Sequence, residues 1–499
     1  MKKITAILLI LLMLAAALTS CAASKDGEES ETTADTALST VQKDESVRPE
    51  KPGVLPKKLT ATKVGSIAAG YAVFEKCGVI YRDDSSGKLG TMSLDGKTDG
   101  GAKWTACKAE GEDCLYFSVT TSTVTKYKSI SDMNHYGIAN AAGELLIPEK
   151  YASFDILNER YVKVYEVTEK ADGKDENAIV YMSVSANEGV SGLFPDEDDV
   201  FLKGNWKVFD LYKGKTVDGI GGTKAKRVQA YGDCIEYYDD EGNLCYAGPD
   251  GKEWTNTWFI DNERGIYITA DEAEKEATVY SNDGKKLFCY DMERFDIYGS
   301  EELYGEYFKV CEYKDGEPVY YLMDAEGSIV SAGFADISAV MGEFVVADNV
   351  GICDFEGNVV YETGDYIVES YEDPMYGALY YFETNGKSVI LDAKGDVVFE
   401  EEDIFDFYPF AMVKNSEEEK DVYSFKDKDF TIGGSALGAY LAEVESESGS
   451  NVVDVISGKA IIKGYESYEI VGPAYGSGKY NFYVYAEKPD GGFDIFEIK

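Results

Sequence analysis

Short runs of aromatic and β-branched residues, cut by turns that end in glycine, repeat along most of this 499-residue chain. The chain contains 38 Tyr, 23 Phe and 50 Gly but only 11 Pro, and such runs between Asp-Gly or Asn-Gly turns are typical of strands and hairpins. The clearest turn glycines stand 42, 43, 30 and 38 residues apart, at positions 242, 284, 327, 357 and 395. This spacing predicts a small β unit that repeats.

Each unit is predicted to hold a hairpin and about two further strands, close to a four-stranded propeller blade. One such unit cannot bury both of its faces, so neighbouring units must stack or close into a ring. We therefore predict an all-β, β-propeller-like domain, or a related stacked β-repeat, over residues 57–499. The turns mark about eight to ten hairpins, and because ordinary propellers have four to eight blades, some hairpins are expected to share a blade. The expected number is about seven to eight blades.

The end of the chain predicts how the repeat could close. Residues 493–498 alternate cleanly between apolar and polar positions, as a half-buried strand does. We expect this strand to pair with an early one, such as residues 71–74, and to complete a ring. Deletion of residues 492–499 should then lower the melting temperature of the whole domain.

The start of the chain has the pattern of a secretory signal. Lys2 and Lys3 precede the apolar stretch 4–18, which is short for a bilayer span. The segment ends in Leu18-Thr19-Ser20-Cys21, which resembles the lipobox of bacterial lipoproteins. The resemblance implies cleavage of a signal peptide, residues 1–20, and a lipid on Cys21. An ordinary signal peptide followed by a chance cysteine is the alternative.

Residues 21–56 have the composition of a disordered acidic linker. They contain many acidic, Ser and Thr residues and no aromatic residue, and Pro49, Pro52 and Pro56 close the stretch. A flexible chain of this length spans on the order of 30 Å. The expected location is therefore the extracytoplasmic face of the cell membrane, with the repeat domain tethered to the membrane through Cys21.

One copy of the repeat resembles a known family. Residues 136–151 run from Tyr-Gly through an Asn-x-x-Gly turn to Ile-Pro-x-x-Tyr, and Phe154-Asp155 and an apolar strand follow. This resembles the WG repeat, in which Trp stands at the position of Tyr136. The likeness is clearest over 133–166 and 277–415. It implies repetitive β architecture and interaction at a surface, and it supplies no catalytic residue.

Charge narrows the classes of partner. Forty-eight basic residues against 92 acidic ones give a net charge of −44. Such a field repels nucleic acids and anionic head groups and favours cations or basic partners, although acidic surfaces also simply keep exported proteins soluble. We expect no nucleic-acid partner.

Eight cysteines follow Cys21. Cys107 and Cys114 flank a turn and could pair across a hairpin. Most of the eight stand beside Val, Ile, Tyr or Phe, however, so buried thiols are favoured over disulfides. No CxxC pair indicates a zinc or redox site.

Few residues indicate catalysis. His135 is the only histidine, and no G-x-S-x-G motif accompanies it, so we interpret it as a turn residue and predict no catalytic residue. The acids Asp324, Asp354 and Asp392 stand where Asp commonly binds its own turn. We predict neither cofactor nor metal site, with calcium at the acidic run 196–199 as a minor alternative.

Two tryptophans, Trp254 and Trp258, lie four residues apart in a polar stretch and could form a platform for a glycan or peptide. Aromatic residues in strands are more often part of the core. The preferred hypothesis is a surface lipoprotein whose repeats bind an envelope protein, a peptide or a glycan without catalysis. The alternatives are an extracytoplasmic carbohydrate-active enzyme on a propeller, which would use a carboxylate pair, and a purely structural spacer.

Overall fold

The structure is a computed structural model, and the account below concerns the residues that it describes. These are residues 52–68, 70–110, 115–122, 135–170, 179–181, 183–184, 193–194, 200–222, 227–239, 241–248, 253–254, 257–261, 266–271, 275–281, 284–298, 307–347, 350–363, 367–373, 375–402, 406–407, 412–415, 420–472 and 482–499. The proposed signal peptide, Cys21 and nearly all of the linker lie outside them.

The described residues form strands and turns, and the strands assemble into eleven successive antiparallel sheets plus one two-stranded pair. The first strand, β1 (Ala61–Ile67), belongs to the last sheet. Sheet 1 holds β2 (Ala72–Glu75), β3 (Gly78–Asp83) and β4 (Lys88–Met92). Sheet 2 holds β5 (Ala106–Glu110), β6 (Tyr116–Thr120), β7 (Tyr136–Ala139) and β8 (Leu145–Tyr151).

Sheet 3 carries an insertion between its second and third main strands. Sheet 3 and its insertion comprise β9 (Ser153–Ile156), β10 (Tyr161–Lys170), β11 (Ile179–Tyr181), β12 (Ser183–Val184), β13 (Leu193–Phe194), β14 (Val200–Asp210) and β15 (Lys215–Gly221). Strands β12 and β13 form the separate pair. Sheet 4 holds β16 (Gln229–Tyr231), β17 (Cys234–Tyr238), β18 (Leu244–Ala247) and β19 (Glu253–Trp254).

The middle of the chain repeats the same order. Sheet 5 holds β20 (Thr257–Asp261), β21 (Ile266–Asp271), β22 (Glu276–Tyr280) and β23 (Lys286–Asp291). Sheet 6 holds β24 (Asp296–Tyr298), β25 (Phe308–Lys314) and β26 (Glu317–Met323). Sheet 7 holds β27 (Ile337–Met341), β28 (Phe344–Ala347), β29 (Gly351–Asp354) and β30 (Val359–Glu362).

The last four sheets complete the succession. Sheet 8 holds β31 (Ile367–Glu372), β32 (Leu379–Thr384), β33 (Lys387–Asp392) and β34 (Val397–Glu401). Sheet 9 holds β35 (Asp406–Phe407), β36 (Met412–Asn415), β37 (Lys420–Ser424) and β38 (Asp429–Gly433). Sheet 10 holds β39 (Ser435–Gly438), β40 (Leu441–Ser446), β41 (Gly449–Asp454) and β42 (Lys459–Tyr465). Sheet 11 holds β43 (Tyr468–Val471), β44 (Phe482–Glu487), β45 (Phe493–Ile498) and β1.

The predicted fold class, an all-β and β-propeller-like repeat, is confirmed. Within the part of the chain that the structure describes, the sheets number eleven, more than the seven to eight units expected. Part of the difference arises because hairpins that were expected to share a blade have sheets of their own, and the rest because the turns marked fewer hairpins than there are sheets.

Strand β32 shows why the strands are almost continuously apolar. All six of its residues are buried, and successive side chains of a strand point to opposite faces. Leu379 and Tyr381 pack into the core towards sheets 9 and 10, whereas Tyr380 and Phe382 pack into the core shared with sheet 7. Both faces of the sheet therefore lie against neighbours, and no polar alternation remains in the strand.

Neighbouring sheets share apolar cores in chain order. Such cores join sheets 1 to 2, 2 to 3 and 3 to 4, then 5 to 6, 6 to 7 and 7 to 8. A larger core spans sheets 8 to 11, and another joins sheet 11 to sheet 1. The side chains that face the junction of sheets 4 and 5 lie largely outside the described residues. Because one of these cores joins sheet 11 to sheet 1, the first sheet packs against the last.

The closing strand pair differs from the one predicted. Strand β45 does close the succession, but its early partner is β1, with Ala61 opposite Ile498 and Ile67 opposite Phe493. The predicted partner segment 71–74 instead overlaps β2, the first strand of sheet 1. Strand β1 escaped notice because its sequence is largely polar and half-exposed, and a bulge interrupts its pairing between Lys63 and Gly65.

The turn glycines pack against the preceding sheet. Gly357, with a φ of 87°, lies in the last turn of sheet 7, where a Cβ would stand 3.0 Å from the Cβ of Ala332. Gly327, with a φ of 81°, is placed in the same way on Phe288 of sheet 5. Glycine is needed for the left-handed backbone and, at these two turns, also for the close approach of neighbouring units.

The cysteines follow the preferred interpretation where the structure describes them. None of the seven cysteines in this part of the chain forms a disulfide, and Cys107, Cys311 and Cys353 are buried thiols. Cys114, the suggested partner of Cys107, lies outside the described residues. Burial raises the pKa of the Cys107 thiol far above its ordinary value, so that thiol remains protonated and unreactive.

Within the described part of the chain, no helix is long and apolar enough to cross a membrane.

Candidate functional site

The two tryptophans of the predicted platform belong to different sheets. Trp254 lies in β19 of sheet 4 opposite Tyr246, and Trp258 lies in β20 of sheet 5 opposite Ile268. The backbone therefore places the pair at the junction of two consecutive sheets. Their side chains lie outside what the structure describes, and the platform stays a prediction.

His135 directly precedes β7. Its carbonyl oxygen accepts a hydrogen bond of 2.7 Å from the hydroxyl of Thr120. Its Nδ1 is buried and has no hydrogen-bond partner among the described atoms. The hydroxyl of Thr120 is thus directed to the His135 backbone and not to the ring, so this pair lacks the geometry of a nucleophile and its base.

The three turn acids have the role predicted for them. Asp324 accepts hydrogen bonds from the backbone amides of Glu326 and Ser328 at 3.1 and 2.8 Å. Asp392 accepts the equivalent pair, and Asp354 binds the amide of Asn358 at 2.7 Å. These carboxylates close their own turns. In the described part of the chain, no group of three or more His, Cys, Asp or Glu residues is placed to hold a metal ion, and the run 196–199 lies outside that part.

A buried ionic network links sheets 3 and 4. We call Arg160, Asp210 and Asp233 the arginine clamp. Nε and Nη2 of Arg160 donate to the two carboxylate oxygens of Asp210 at 3.1 and 2.7 Å, and Nη1 donates to Asp233 at 2.8 Å. The three residues are only 5%, 2% and 6% exposed. The hydroxyl of Tyr161 adds a hydrogen bond of 2.9 Å to the carbonyl oxygen of Asp233.

The arginine clamp is suited to holding sheets together and not to acid–base catalysis. Burial alone would lower the pKa of Arg160, but hydrogen bonds and charge interactions with Asp210 and Asp233 raise it above its ordinary value. The guanidinium therefore stays charged, and its bidentate contact fixes the geometry of both loops. Sequence reasoning missed this network because its members stand 50 and 73 residues apart and belong to no motif.

A second buried cluster contains acids without a cation. We call Asp373, Tyr440 and Asp454 the carboxylate cluster. The hydroxyl of Tyr440 donates to Asp373 Oδ2 at 2.7 Å, and Asp373 Oδ1 accepts the amide of Met375 at 2.9 Å. Asp454 Oδ2 accepts the amide of Leu59 at 2.8 Å. Asp373, Tyr440 and Asp454 are fully buried.

In the carboxylate cluster, burial of the Asp373 carboxylate is unfavourable and the backbone at Ala439 and Tyr440 is strained. Burial raises the pKa of Asp373, although the hydrogen bonds from Tyr440 and from backbone amides oppose the rise. Tyr440 has a φ of 61°, and Ala439 before it has a φ of 50°. Bulky residues rarely adopt this left-handed backbone, which persists only where surrounding contacts impose it. The contacts are the hydrogen bond to Asp373 and the large core around the Tyr440 ring.

Glu75 and Glu469 form a carboxylate pair that bears on the alternative of a carbohydrate-active enzyme. Glu469 stands on β43, and the charge of Glu75, on β2 of the neighbouring sheet, acts on it. Burial, and next the charge of Glu75, raises the pKa of Glu469. A raised carboxyl pKa beside a second carboxylate is a pattern found in hydrolases, and sequence alone could not single these two out from 92 acids.

The surface carries a repeated apolar feature. We call Ile329, Val359 and Val397 the turn row. Each stands two residues after a turn glycine, in sheets 6, 7 and 8 respectively, and they are 40%, 51% and 50% exposed. Leu244 has the same position in sheet 4 and is 40% exposed. Because these side chains recur at one place in the repeat, they form a patterned surface, unlike scattered exposed residues.

The members of the turn row are borne by sheets in direct contact. The turn before Val359 lies on Ala332, and the turn before Val397 lies on Val360, through the glycines described above and Gly395. The repeat motif already showed two aliphatic residues after each of these turn glycines, but it did not show which of them is exposed. The first of two aliphatic residues after each turn glycine is exposed and the second is half-buried, a distinction that apolar pattern alone does not make.

Comparisons with known proteins add little. No family model and no curated protein matches the chain. Among solved structures, BamB from Moraxella catarrhalis is similar over 88% of this chain and 99% of its own, at 10% identity and a TM-score of 0.20. The Dos1 propeller is similar over 54% of this chain and 90% of its own, at 12% identity and a TM-score of 0.21. At such scores the fold assignment rests on the strand order of this chain itself.

Proposed function

We propose that this protein is a lipid-tethered, non-catalytic binding module on the extracytoplasmic face of the cell membrane. The signal-like start and the lipobox ending in Cys21 support the tether. The turn row supports binding, because it presents apolar side chains at matching places on three touching sheets. The WG-like repeats agree with a role in interaction.

The turn row is the observation that carries the binding proposal. Grouped exposed aliphatic residues lower the solubility of a protein unless a binding partner covers them. A patterned apolar patch rimmed by polar residues is typical of an interaction site. The arginine clamp and the three turn acids, in contrast, use their charged atoms internally. They are thus committed to structure.

Metabolic labelling with a fatty acid tests the tether. The full chain expressed in a bacterium should incorporate labelled palmitate and fractionate with membranes. Cys21→Ala should abolish both, since no thiol remains at the lipobox to carry the acyl group. Cys245→Ala, which removes a thiol from the repeat domain, is the matched control and should label normally. Labelling of Cys21→Ala would disprove the tether.

Site-specific cross-linking in cells tests the binding role. A photo-cross-linking amino acid at Val359 should capture an envelope component, whereas the same amino acid at exposed Val54 should capture far less of it. Val54 is 70% exposed, so greater access alone does not favour the turn row. Equal capture at the two positions would contradict the proposal.

The carboxylate pair Glu75 and Glu469 supports a second candidate function, that of a carbohydrate-active enzyme. What favours it is the placement of Glu469 and Glu75 on strands of two sheets that share a core, where burial raises the pKa of Glu469. Release of reducing sugar from cell-wall glycan by the purified protein, lost in Glu469→Gln, would support this function. Glu369→Gln, at an exposed acid on the first strand of sheet 8, serves as the control.

A further inference from the structure

We propose that the turn row binds a basic, extended polypeptide segment of another protein, in which apolar and cationic side chains alternate. This inference rests on the proposed binding function and specifies the partner. The partner would place apolar side chains on Ile329, Val359 and Val397 and cationic side chains on the acids around them.

The charge around the turn row is mostly negative, although Asp324, Asp354 and Asp392 close their own turns and Glu400 pairs with Lys387. The three turn-and-strand segments that carry it, residues 324–330, 354–362 and 392–402, contain ten acidic residues and a single lysine, Lys394. Glu326, Glu356 and Asp396 are exposed beside the aliphatic positions. Complementary charge steers encounter and selects among partners, so a basic partner is favoured and an anionic lipid surface or nucleic acid is repelled.

The turn row has defined ends. In sheet 5 the residue two positions after the turn glycine is Lys286, which is exposed and cationic. In sheet 9 the last turn has a different form, and Phe430 beyond it packs against the large core instead of standing free on the surface. Three consecutive sheets therefore offer one aliphatic residue each, which suits a short segment of a partner.

An extended segment fits this arrangement better than a globular face. The aliphatic positions recur once per sheet, and an exposed acidic residue stands within three positions before each of them, so every turn offers one apolar and one acidic side chain. A segment in extended conformation also alternates its side chains. Each aliphatic contact adds a modest gain that grows with the apolar area removed from water.

The experiment uses two labelled twelve-residue peptides of equal charge. In one, lysine alternates with valine; in the other, lysine alternates with serine. Fluorescence anisotropy with the purified full chain should show binding of the lysine–valine peptide about tenfold tighter than the lysine–serine peptide. The double variant V359S and V397S should remove most of this preference without changing the net charge. Leu244→Ser, at the isolated equivalent position in sheet 4, should change affinity less than twofold.

A second set of variants tests the charges. E326Q, E356Q and D396N together should weaken both peptides, because the acids bind lysine in either sequence. Circular dichroism and melting temperature establish that each variant is folded. Equal binding of both peptides, or an unchanged preference in the serine double variant, would overturn the inference. If cross-linking at Val359 nevertheless captures a glycan or a neutral protein, the binding function stands and the basic partner is wrong.

Discussion

The arginine clamp and the carboxylate cluster solve the same problem in different ways. Both bury acidic side chains at strand ends and turns where sheets meet, at Asp210 and Asp233 in the first case and at Asp373 and Asp454 in the second. The clamp neutralises its acids with Arg160. In the cluster the donors are the hydroxyls of Tyr440 and Ser457 and backbone amides, including that of Leu59.

The two regions are therefore vulnerable to different changes. A buried charge that loses its partner is costly, so the clamp depends on one side chain. The carboxylate cluster spreads its hydrogen bonds over several weaker donors, and burial leaves the pKa of Asp373 raised. The clamp should therefore be sensitive to mutation and the cluster to pH, and five measurements test this contrast.

Arg160→Ala should cause the largest loss. It strands two buried carboxylates, and the expected decrease in the free energy of unfolding is about 3–5 kcal/mol. The measurement is denaturant unfolding monitored by circular dichroism. Arg82→Ala is the control, since Arg82 forms a surface ion pair with exposed Asp84 and should change stability by less than about 0.5 kcal/mol. Similar losses in the two variants would remove the distinction between the clamp and a surface pair.

Leu59→Ala should follow in size. Leu59 is 2% exposed in the core of sheets 8 to 11, and removal of a buried leucine side chain costs about 2–5 kcal/mol. Val54→Ala, at a position 70% exposed, should leave the melting temperature almost unchanged. A small effect of Leu59→Ala would mean that the segment before β1 contributes little to the core of sheets 8 to 11.

Tyr440→Phe should have a smaller effect. The ring still fills its core, but Asp373 loses a buried donor, which costs about 1–3 kcal/mol. Tyr371→Phe in sheet 8 removes a hydroxyl that donates to Glu369 at an exposed site and should be nearly neutral. A neutral Tyr440→Phe would show that the hydrogen bond at Asp373 is not what holds the left-handed turn.

Asp373→Asn should change mainly the pH dependence. The pKa of Asp373 is raised in the folded state, so folding takes up a proton and the wild-type protein gains stability as pH falls towards the ordinary carboxyl pKa of about 4. That gain is lost as pH rises through the folded pKa. Thermal melts at pH 4.5 and 7.5 should therefore differ less in the variant than in the wild type.

Asp354→Asn should change the pH dependence of stability in the opposite direction. Its hydrogen bond with Asn358 lowers the pKa of Asp354, so the stabilising contribution is present at neutral pH and is lost in acid. Wild type and Asp354→Asn should converge as pH falls below about 4. Parallel pH profiles for wild type, Asp373→Asn and Asp354→Asn would contradict the assignment of both carboxylates.

Local features of this fold were predictable and distant ones were not. The roles of Asp324, Asp354 and Asp392 follow from hydrogen bonds within their own turns, two to four residues away. Tyr440 and Asp373, in contrast, stand 67 residues apart, and no spacing in the sequence marks them as partners. The number of sheets was missed because hairpin signals do not state which hairpins share a sheet. The exposed member of each aliphatic pair became evident only once neighbouring sheets were in place.

The pairing of β1 with β45 has a consequence for how the chain matures. Thr60 and Lys499, which exchange backbone hydrogen bonds at the edge of this pair, are 439 positions apart. A chain made from its N-terminus must therefore keep β1 unpaired until β45 emerges, and contacts of such long separation form slowly. Interrupted synthesis would leave an unfinished molecule with an unpaired strand edge.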